Sequence, residues 1–387
     1  MDSTTVSLVQ TTFKIVTSAE DGPAQLTRDI FANLFAASPE TRELFPASMD
    51  VSRQRLLQAI GYVVDKLDTP RRILPFLEQL GRDHRKYGVK DAHYTAVGNA
   101  VLDALQSFTG NQIWTVEVDE AWRQTIALIS ATMMGAANSE SRPSTWTGTV
   151  VEHKQVLRDV AVVRLQLDQP MEYGAGQYVS VSVPGRPRMW RYLSPAIPSN
   201  PQGQIEFHVR QVSGGWVSPA IVGQTSPGDK WSISAPLGAL GVDRTDDRDM
   251  VMIASGTGIA PLRAQLMEMA MRGSNPRVHL FVAGTYPCDL YDIETLWQLS
   301  MTNPWLTVVP VSEEAENPWW HTEPVPESPP GMHQRLIGKV GQVVSGFGTW
   351  ADRDIQIVGS TSMVQTTKFR LLAAGTPAEC IRYDPPS

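Results

Sequence analysis

The stretch Met250-Val251-Met252-Ile253-Ala254-Ser255-Gly256-Thr257-Gly258-Ile259-Ala260-Pro261 decides how the C-terminal part of the chain is built. An apolar run this short, closed by glycine, reads as a buried strand, and Leu262 to Arg272 behind it reads as a helix. Strand, glycine-rich turn and helix in that order are the context a dinucleotide-binding turn needs. The plainer reading is an ordinary strand-to-helix turn.

Outward from this point the pattern repeats. Val278 to Ala283, Leu306 to Val311 and Ile355 to Val358 are further buried-strand candidates, and Tyr291 to Leu299 and Met363 to Leu372 read as helices. Alternating strands and helices predict a parallel α/β sheet. Glu316 to Met332, rich in Pro and carrying Trp319-Trp320, reads as a surface insertion. Upstream, Val150-Val151, Val160 to Leu167, Tyr178 to Val183, Ile205 to Val209 and Trp231 to Ser234 are short strands divided by turn residues. They predict a small antiparallel barrel ending near Val242. Asn138 to Ser144 has linker composition. Before it, Leu26, Ile30, Leu34 and Phe35 recur at helical spacing, as do Leu56, Leu57, Ile60, Val63 and Val64, with Pro and Gly between the segments. The expected division is an all-α region over 1–138, a linker over 139–145, an antiparallel β-barrel over 146–243 and a Rossmann-like α/β region over 244–387.

The bulk composition fits. A chain of 387 residues is too long for one core. Hydrophobic content of 42% with 19% charged residues describes a water-soluble protein, and a net charge of −7 argues against nucleic acid or anionic membrane as a partner. Two cysteines, Cys288 and Cys380, exclude a disulfide scaffold and suit a reducing, cytoplasmic setting; both read as small buried residues. No secretory signal, no 18-residue apolar run and no Cys-x-x-Cys-His are visible, so any haem would be held non-covalently.

His84 lies on an apolar helix face with Leu77 and Leu80. A lone histidine there is ordinarily a core or boundary residue. In an all-helical region of globin length, with a Phe45-Pro46 corner, it is also a candidate haem ligand. His93, just after Asp91 at the next helix start, is better placed for solvent. The barrel region carries three motifs in order: Gly176-Gln177-Tyr178, Arg191-Tyr192-Leu193-Ser194 and Gly214-Gly215-Trp216-Val217-Ser218. Each glycine pair alone is a β-turn, and Arg-x-x-Ser alone means little. Together they suggest backbone close enough to hold a diphosphate.

Residues 77–98 resemble the proximal segment of the flavohaemoglobins, and the resemblance extends over all three regions. It implies haem b, FAD and NAD(P)H as cofactors, with oxygen and nitric oxide as small-molecule ligands. His84 would be the iron ligand and Tyr94 its proximal hydrogen-bonding partner, with Phe31, Phe45 and Ser52 lining the haem pocket. FAD would be held by Tyr178, Arg191, Tyr192, Leu193, Ser194, Gly214, Gly215 and Ser218. The nicotinamide would lie on Gly256, Thr257, Gly258, Ile259, Ala260, Pro261, Gly359 and Ser360. The implied activity is electron transfer from NAD(P)H through FAD to the haem, with nitric oxide dioxygenation.

The chain also departs from that family. The resemblance places Phe31 at the distal tyrosine, Ser52 at the distal glutamine, Ala137 at the proximal glutamate and Asp83 at the lysine before the proximal histidine. Leu193 replaces the flavin-signature tyrosine, Val358-Gly359-Ser360 a Cys-Gly-Pro loop, and Asp384-Pro385-Pro386 the terminal Glu-x-Phe. Phe31 cannot donate a hydrogen bond, and loss of the proximal carboxylate lowers imidazole basicity. The chain is thus similar to a divergent, actinobacterial-type subgroup. Two rival expectations follow: a flavin dehydrogenase of a small 2-hydroxy acid such as D-lactate, with the globin as electron acceptor, and a haem-based gas sensor with a weak reductase.

Overall fold

The structure is a computed structural model that describes residues 1–243, 245–325 and 328–384. The chain divides into two compact units, Met1–Thr145 and Trp146–Ser387.

The first unit is helical: α1 (Ser3–Ser18), α2 (Gly22–Ala37), α3 (Asp50–Asp65), α4 (Pro70–His84), α5 (Asp91–Thr109) and α6 (Val116–Ser139). Pro23 and Pro70 sit in the first turns of α2 and α4, where a missing N–H costs nothing. Leu26, Ile30, Phe31, Leu34, Ile73, Leu77 and Trp122 form the centre of the core. Helix α4 lies on α6, α2 lies on α5, and α3 packs mainly on α1 and α2. Gly81 lets α4 and α6 approach closely, since a Cβ there would run into the Met133 carbonyl.

The second unit holds two sheets. The first contains β1 (Thr145–Leu157), β2 (Val160–Leu167), β3 (Val179–Ser182), β4 (Arg191–Leu193), β5 (Gln204–Arg210) and β6 (Lys230–Ser234), in the order β4-β3-β6-β1-β2-β5. Its recorded ladders β1–β2, β2–β5, β3–β4 and β3–β6 are antiparallel. A bridge between Pro195 and Phe207 brings the two edges together, so the sheet is nearly a closed barrel. Strand β1 runs well past the expected Val150-Val151. Bulges after Val150 and Gln155 break its alternation, and in the sequence that break looks like a strand end. Helix α7 (Ser218–Gln224) follows β5.

The second sheet contains β7 (Met250–Ser255), β8 (Val278–Gly284), β9 (Leu306–Ser312), β10 (Leu336–Ile337), β11 (Asp354–Val358) and β12 (Ile381–Arg382), in the order β10-β9-β8-β7-β11-β12. Its ladders are parallel, with helices α8 (Ile259–Ala270), α9 (Ile293–Thr302), α10 (Val340–Gly346) and α11 (Thr361–Ala373) between strands. The sidechains of β7 are buried on both faces, which explains its unbroken apolar sequence. Helix α8 begins at Ile259, earlier than expected, because the turn Gly256–Gly258 winds straight into it. The insertion after β9 is irregular, with Trp319 exposed, and folds back through Trp297 Nε1, which donates to the Pro330 carbonyl at 3.0 Å. Pro326 and Glu327 lie outside the described residues. Among the described residues no helix is long and apolar enough to cross a membrane.

Candidate functional site

Three candidate sites follow from this framework. In the helical unit, Ile73, Leu77, Leu80 and His84 recur along one face of α4. At the end of that face His84 Nδ1 donates to the Leu80 carbonyl oxygen at 2.6 Å. That bond leaves Nε2 with its lone pair, and no described residue bonds to it. Burial disfavours the protonated ring, the bond to Leu80 partly opposing it. A half-buried imidazole held neutral, with one nitrogen fixed and one open, is the donor a haem iron requires.

Partly covered apolar side chains in the same unit suit that group as well. Helices α3 and α4 follow one another yet pack chiefly on other helices. Leu56, Leu57 and Ile60 of α3, and Leu80, Tyr94 and Val97, rest against the core without being fully covered. A flat apolar macrocycle would cover them. Phe31, Phe35 and Phe45 form a ring cluster in the same core, with centroids 5.2–5.8 Å apart. Arg42 holds the corner by donating to the Phe45, Pro46 and Ala47 carbonyls. Ser52 is half-buried in α3. Phe31 and Phe45 bring no hydroxyl to the cluster.

The sequence points to Tyr94 as a proximal hydrogen-bonding residue. The acceptor at His84 Nδ1 is the Leu80 backbone carbonyl, one turn earlier on the same helix, and Tyr94 lies half-buried on α5. His93, half-buried, accepts from the Lys90 backbone N–H at 3.1 Å as part of the α5 cap.

In the barrel, β3–β4 pairing sets Ser180 against Tyr192 and Val181 against Arg191. The rings of Tyr178 and Tyr192 meet edge-on at 5.0 Å, and both are half-buried. Arg191 is exposed and donates to the Trp190 carbonyl at 2.8 Å. Tyr178 is fixed by paired backbone bonds with Leu237, and Gly238 is required there, at φ +88° with no room for a Cβ beside the tyrosine ring. Gly214 has φ +73°, Gly215 N–H donates to Val212 O, and Ser218 Oγ accepts from Val212 N–H at 3.0 Å. Leu193, paired across the ladder with Val179, and Ser194 are half-buried. A half-exposed aromatic pair, an exposed arginine on the paired strand and a tight glycine turn suit a flavin dinucleotide. Asp384, unmarked in the sequence reading as a contact, lies at Gly238 and accepts from Ala239 N–H at 3.4 Å. Pro385 and Pro386, read with it, lie outside the described residues.

In the α/β region, strand order turns outward in both directions from the β7–β11 pair. Open α/β sheets bind ligands at such switch points, beyond the carboxyl ends of the strands. Gly256, Thr257 and Gly258 leave β7 there, and Ile259, Ala260 and Pro261 open α8. Gly359 and Ser360 leave β11 directly opposite: a Cβ at Gly258 would run into the Val358 carbonyl. Ser360 Oγ caps α11 by accepting from Met363 N–H. Arg210 was missed in the sequence. Its guanidinium stands beside Gly256 and pairs with Asp289 at 2.8 Å. Its place at the end of an alternating strand, before Gly214-Gly215, was the available signal.

Comparison with known proteins gives three family matches along the chain. Residues 28–133 match the globin family, 147–241 the oxidoreductase FAD-binding domain and 252–368 the oxidoreductase NAD-binding domain. The chain is 28% identical over 284 residues to the flavohemoprotein of Bordetella parapertussis, covering 67% of this chain and 69% of that protein. It is 21% identical to the flavohemoprotein of Bacillus subtilis over 99% of this chain and 97% of that one. The phenol hydroxylase P5 protein of Acinetobacter pittii is 30% identical over 176 residues, and the match spans half of its length. A flavohemoglobin structure from Malassezia yamatoensis, with bound FAD and heme, shares the fold at a TM-score of 0.77 and 17% identity, over 99% of this chain and 98% of that one. With a globin, an FAD-binding barrel and a Rossmann-like NAD-binding region joined in one polypeptide, this chain belongs to the flavohaemoglobin family.

Proposed function

We propose that the chain is an oxidoreductase that takes electrons from NAD(P)H through FAD to the globin haem, with a nitric oxide dioxygenase-like activity toward oxygen and nitric oxide. The observation that carries this reading is His84. Its Nδ1 is tied to Leu80, so its Nε2 stays open between helices that leave apolar surface uncovered. The bound groups would supply the redox chemistry: nicotinamide and flavin exchange electron pairs, and haem iron accepts single electrons.

The protein's own residues do the rest. Leu80 fixes the tautomer and rotation of His84. A backbone carbonyl is a weaker acceptor than a carboxylate, so the imidazole keeps its Nδ1 proton and supplies less electron density through Nε2. Phe31, Phe35 and Phe45 exclude water from the apolar side without offering a donor. Arg191 would neutralise a diphosphate, and the Tyr178–Tyr192 pair would seat a flat ring system. The glycines of 256–258 and 359 keep the switch-point crevice open to a second dinucleotide. An apolar distal face predicts dioxygenation slower than in relatives that carry a hydroxyl there. The test is anaerobic reduction of the purified chain by NADH, NADPH and D-lactate in turn, following flavin and haem absorbance separately.

A further inference from the structure

A buried ion cluster in the reductase unit lies between the flavin-signature segment and the nicotinamide turn. Glu206 and His208 alternate with apolar residues on β5, so both side chains leave the same face of the strand. They are almost wholly enclosed, at 2% and 1% exposure. Arg263 of α8, five residues beyond Gly258, reaches them with a side chain only 11% exposed. Its Nη1 donates to Glu206 and, at 3.3 Å, to the Ala196 carbonyl. Its Nε lies 3.4 Å from the Asp292 carboxylate. The Tyr291 hydroxyl meets His208 Nδ1 at 2.9 Å, and Arg164 closes the cluster on the second Glu206 oxygen at 2.7 Å.

The connections of Arg263 give the cluster its meaning. Ala196 follows Ser194 by two residues, and its N–H donates to the Glu206 carbonyl at 2.8 Å. One guanidinium therefore ties the segment Arg191–Ser194 to the helix that begins at the Gly256–Gly258 turn. Enclosed ion networks are seldom more stabilising than well-packed apolar side chains of the same volume. What a planar, multidentate guanidinium adds is geometry.

We propose that Arg263 is a positioning residue that sets how closely the nicotinamide and flavin sites face each other. This rests on the electron-transfer reading above. Hydride transfer moves two electrons and one proton from the dihydronicotinamide, which is oxidised, to the flavin ring, which is reduced. Reacting atoms must approach to about 3–3.5 Å, and a misplacement of about 1 Å lowers such rates by about a hundredfold. Arg263 touches neither reactant and acts through Ala196 and the start of α8.

The experiment uses the full chain loaded with haem and FAD, mixed anaerobically with NADH. Arg263→Lys should slow the limiting rate of flavin reduction by about 10–100-fold. FAD content and the half-saturating NADH concentration should change by less than about threefold. The long-wavelength charge-transfer absorbance of reduced flavin with NAD should weaken in parallel. Tyr291→Phe removes one hydrogen bond while keeping the ring, and should slow the same step by about threefold or more. It serves if the Arg263 variant fails to fold. Arg382→Gln breaks the Arg382–Asp354 pair elsewhere in this unit. It should lower the melting temperature and leave the rate unchanged. If the wild-type flavin is reduced and both Arg263→Lys and Tyr291→Phe keep its rate, the positioning role is overturned. Loss of rate in proportion to melting temperature across all three variants would also overturn it. A wild-type chain that binds FAD but accepts electrons from neither nicotinamide would overturn the electron-transfer reading, and the proposal with it.

Discussion

His84 Nδ1 and the Leu80 carbonyl oxygen are 2.6 Å apart, one turn from each other on α4. The bond is internal to one helix and ties the ring to α4, and the Tyr87 ring packs edge-on against it at 5.8 Å. Replacing His84 with Ala removes the only candidate iron ligand on this face. His84→Ala should abolish or severely weaken haem retention, measured as Soret absorbance after gel filtration. His93→Ala should leave the Soret band nearly intact, because that ring serves the α5 cap. The opposite pattern would transfer the ligand role to His93.

Phe31 packs edge-on against Phe45 at 5.2 Å and at a tilt of 32° against Phe35 at 5.8 Å. A hydroxyl added at Phe31 would bring a donor to an apolar face, and a buried hydrogen bond to a polar ligand is worth roughly 1–3 kcal/mol. Phe31→Tyr should therefore slow oxygen dissociation by about tenfold or more, while carbon monoxide dissociation changes much less. Flash photolysis and stopped-flow displacement measure both. Unchanged oxygen dissociation would place Phe31 away from the ligand.

Arg191 stands at the exposed edge of the barrel, paired across β3–β4 with Val181. Without it a diphosphate loses a charge-assisted partner, worth about 1.5–3 kcal/mol. Arg191→Ala should lower FAD occupancy after gel filtration and leave haem content unchanged. Equal flavin in mutant and wild type would exclude Arg191 from the flavin site.

Much of this was legible in the sequence because periodicity reports burial. The run Met250 to Ser255 is apolar because both faces of β7 are covered, and the glycines after it are exposed as a turn by the same pattern. His84 stood out because its helix face is otherwise apolar. Contacts between segments distant in sequence were hidden. Arg263 and Glu206 are 57 residues apart, and neither neighbourhood marks the other. The one local hint was Ile205-Glu206-Phe207-His208-Val209, where two polar residues share a strand face that the fold then buries. The Leu80 acceptor was equally hidden, since any helical residue presents a carbonyl and only side-chain orientation selects it.

Glu206 also gives the reductase unit an acid dependence. Burial alone would raise its pKa, but the His208 hydrogen bond, the Arg263 charge and the Arg164 bond outweigh it and hold the carboxyl below its ordinary 4.5. A carboxylate with a lowered folded pKa contributes stability above the unfolded value, and that stability is lost as pH falls through the folded value. Asp292, raised by burial, acts oppositely and softens the loss. Urea midpoints from about pH 6 to about pH 3.5 should fall in the wild type. Glu206→Gln should start lower and fall less steeply. Parallel pH curves for the two proteins would contradict the linkage.

The most direct measurement of the central claim is anaerobic stopped-flow absorbance of the haem- and FAD-loaded chain after mixing with NADH or NADPH. The account predicts bleaching of the flavin bands first, then a Soret shift to the ferrous form at a rate independent of protein concentration, with the Soret phase lost in Arg191→Ala preparations that lack FAD. Flavin reduction without any haem reduction, or haem reduction that persists in FAD-free protein, would contradict it.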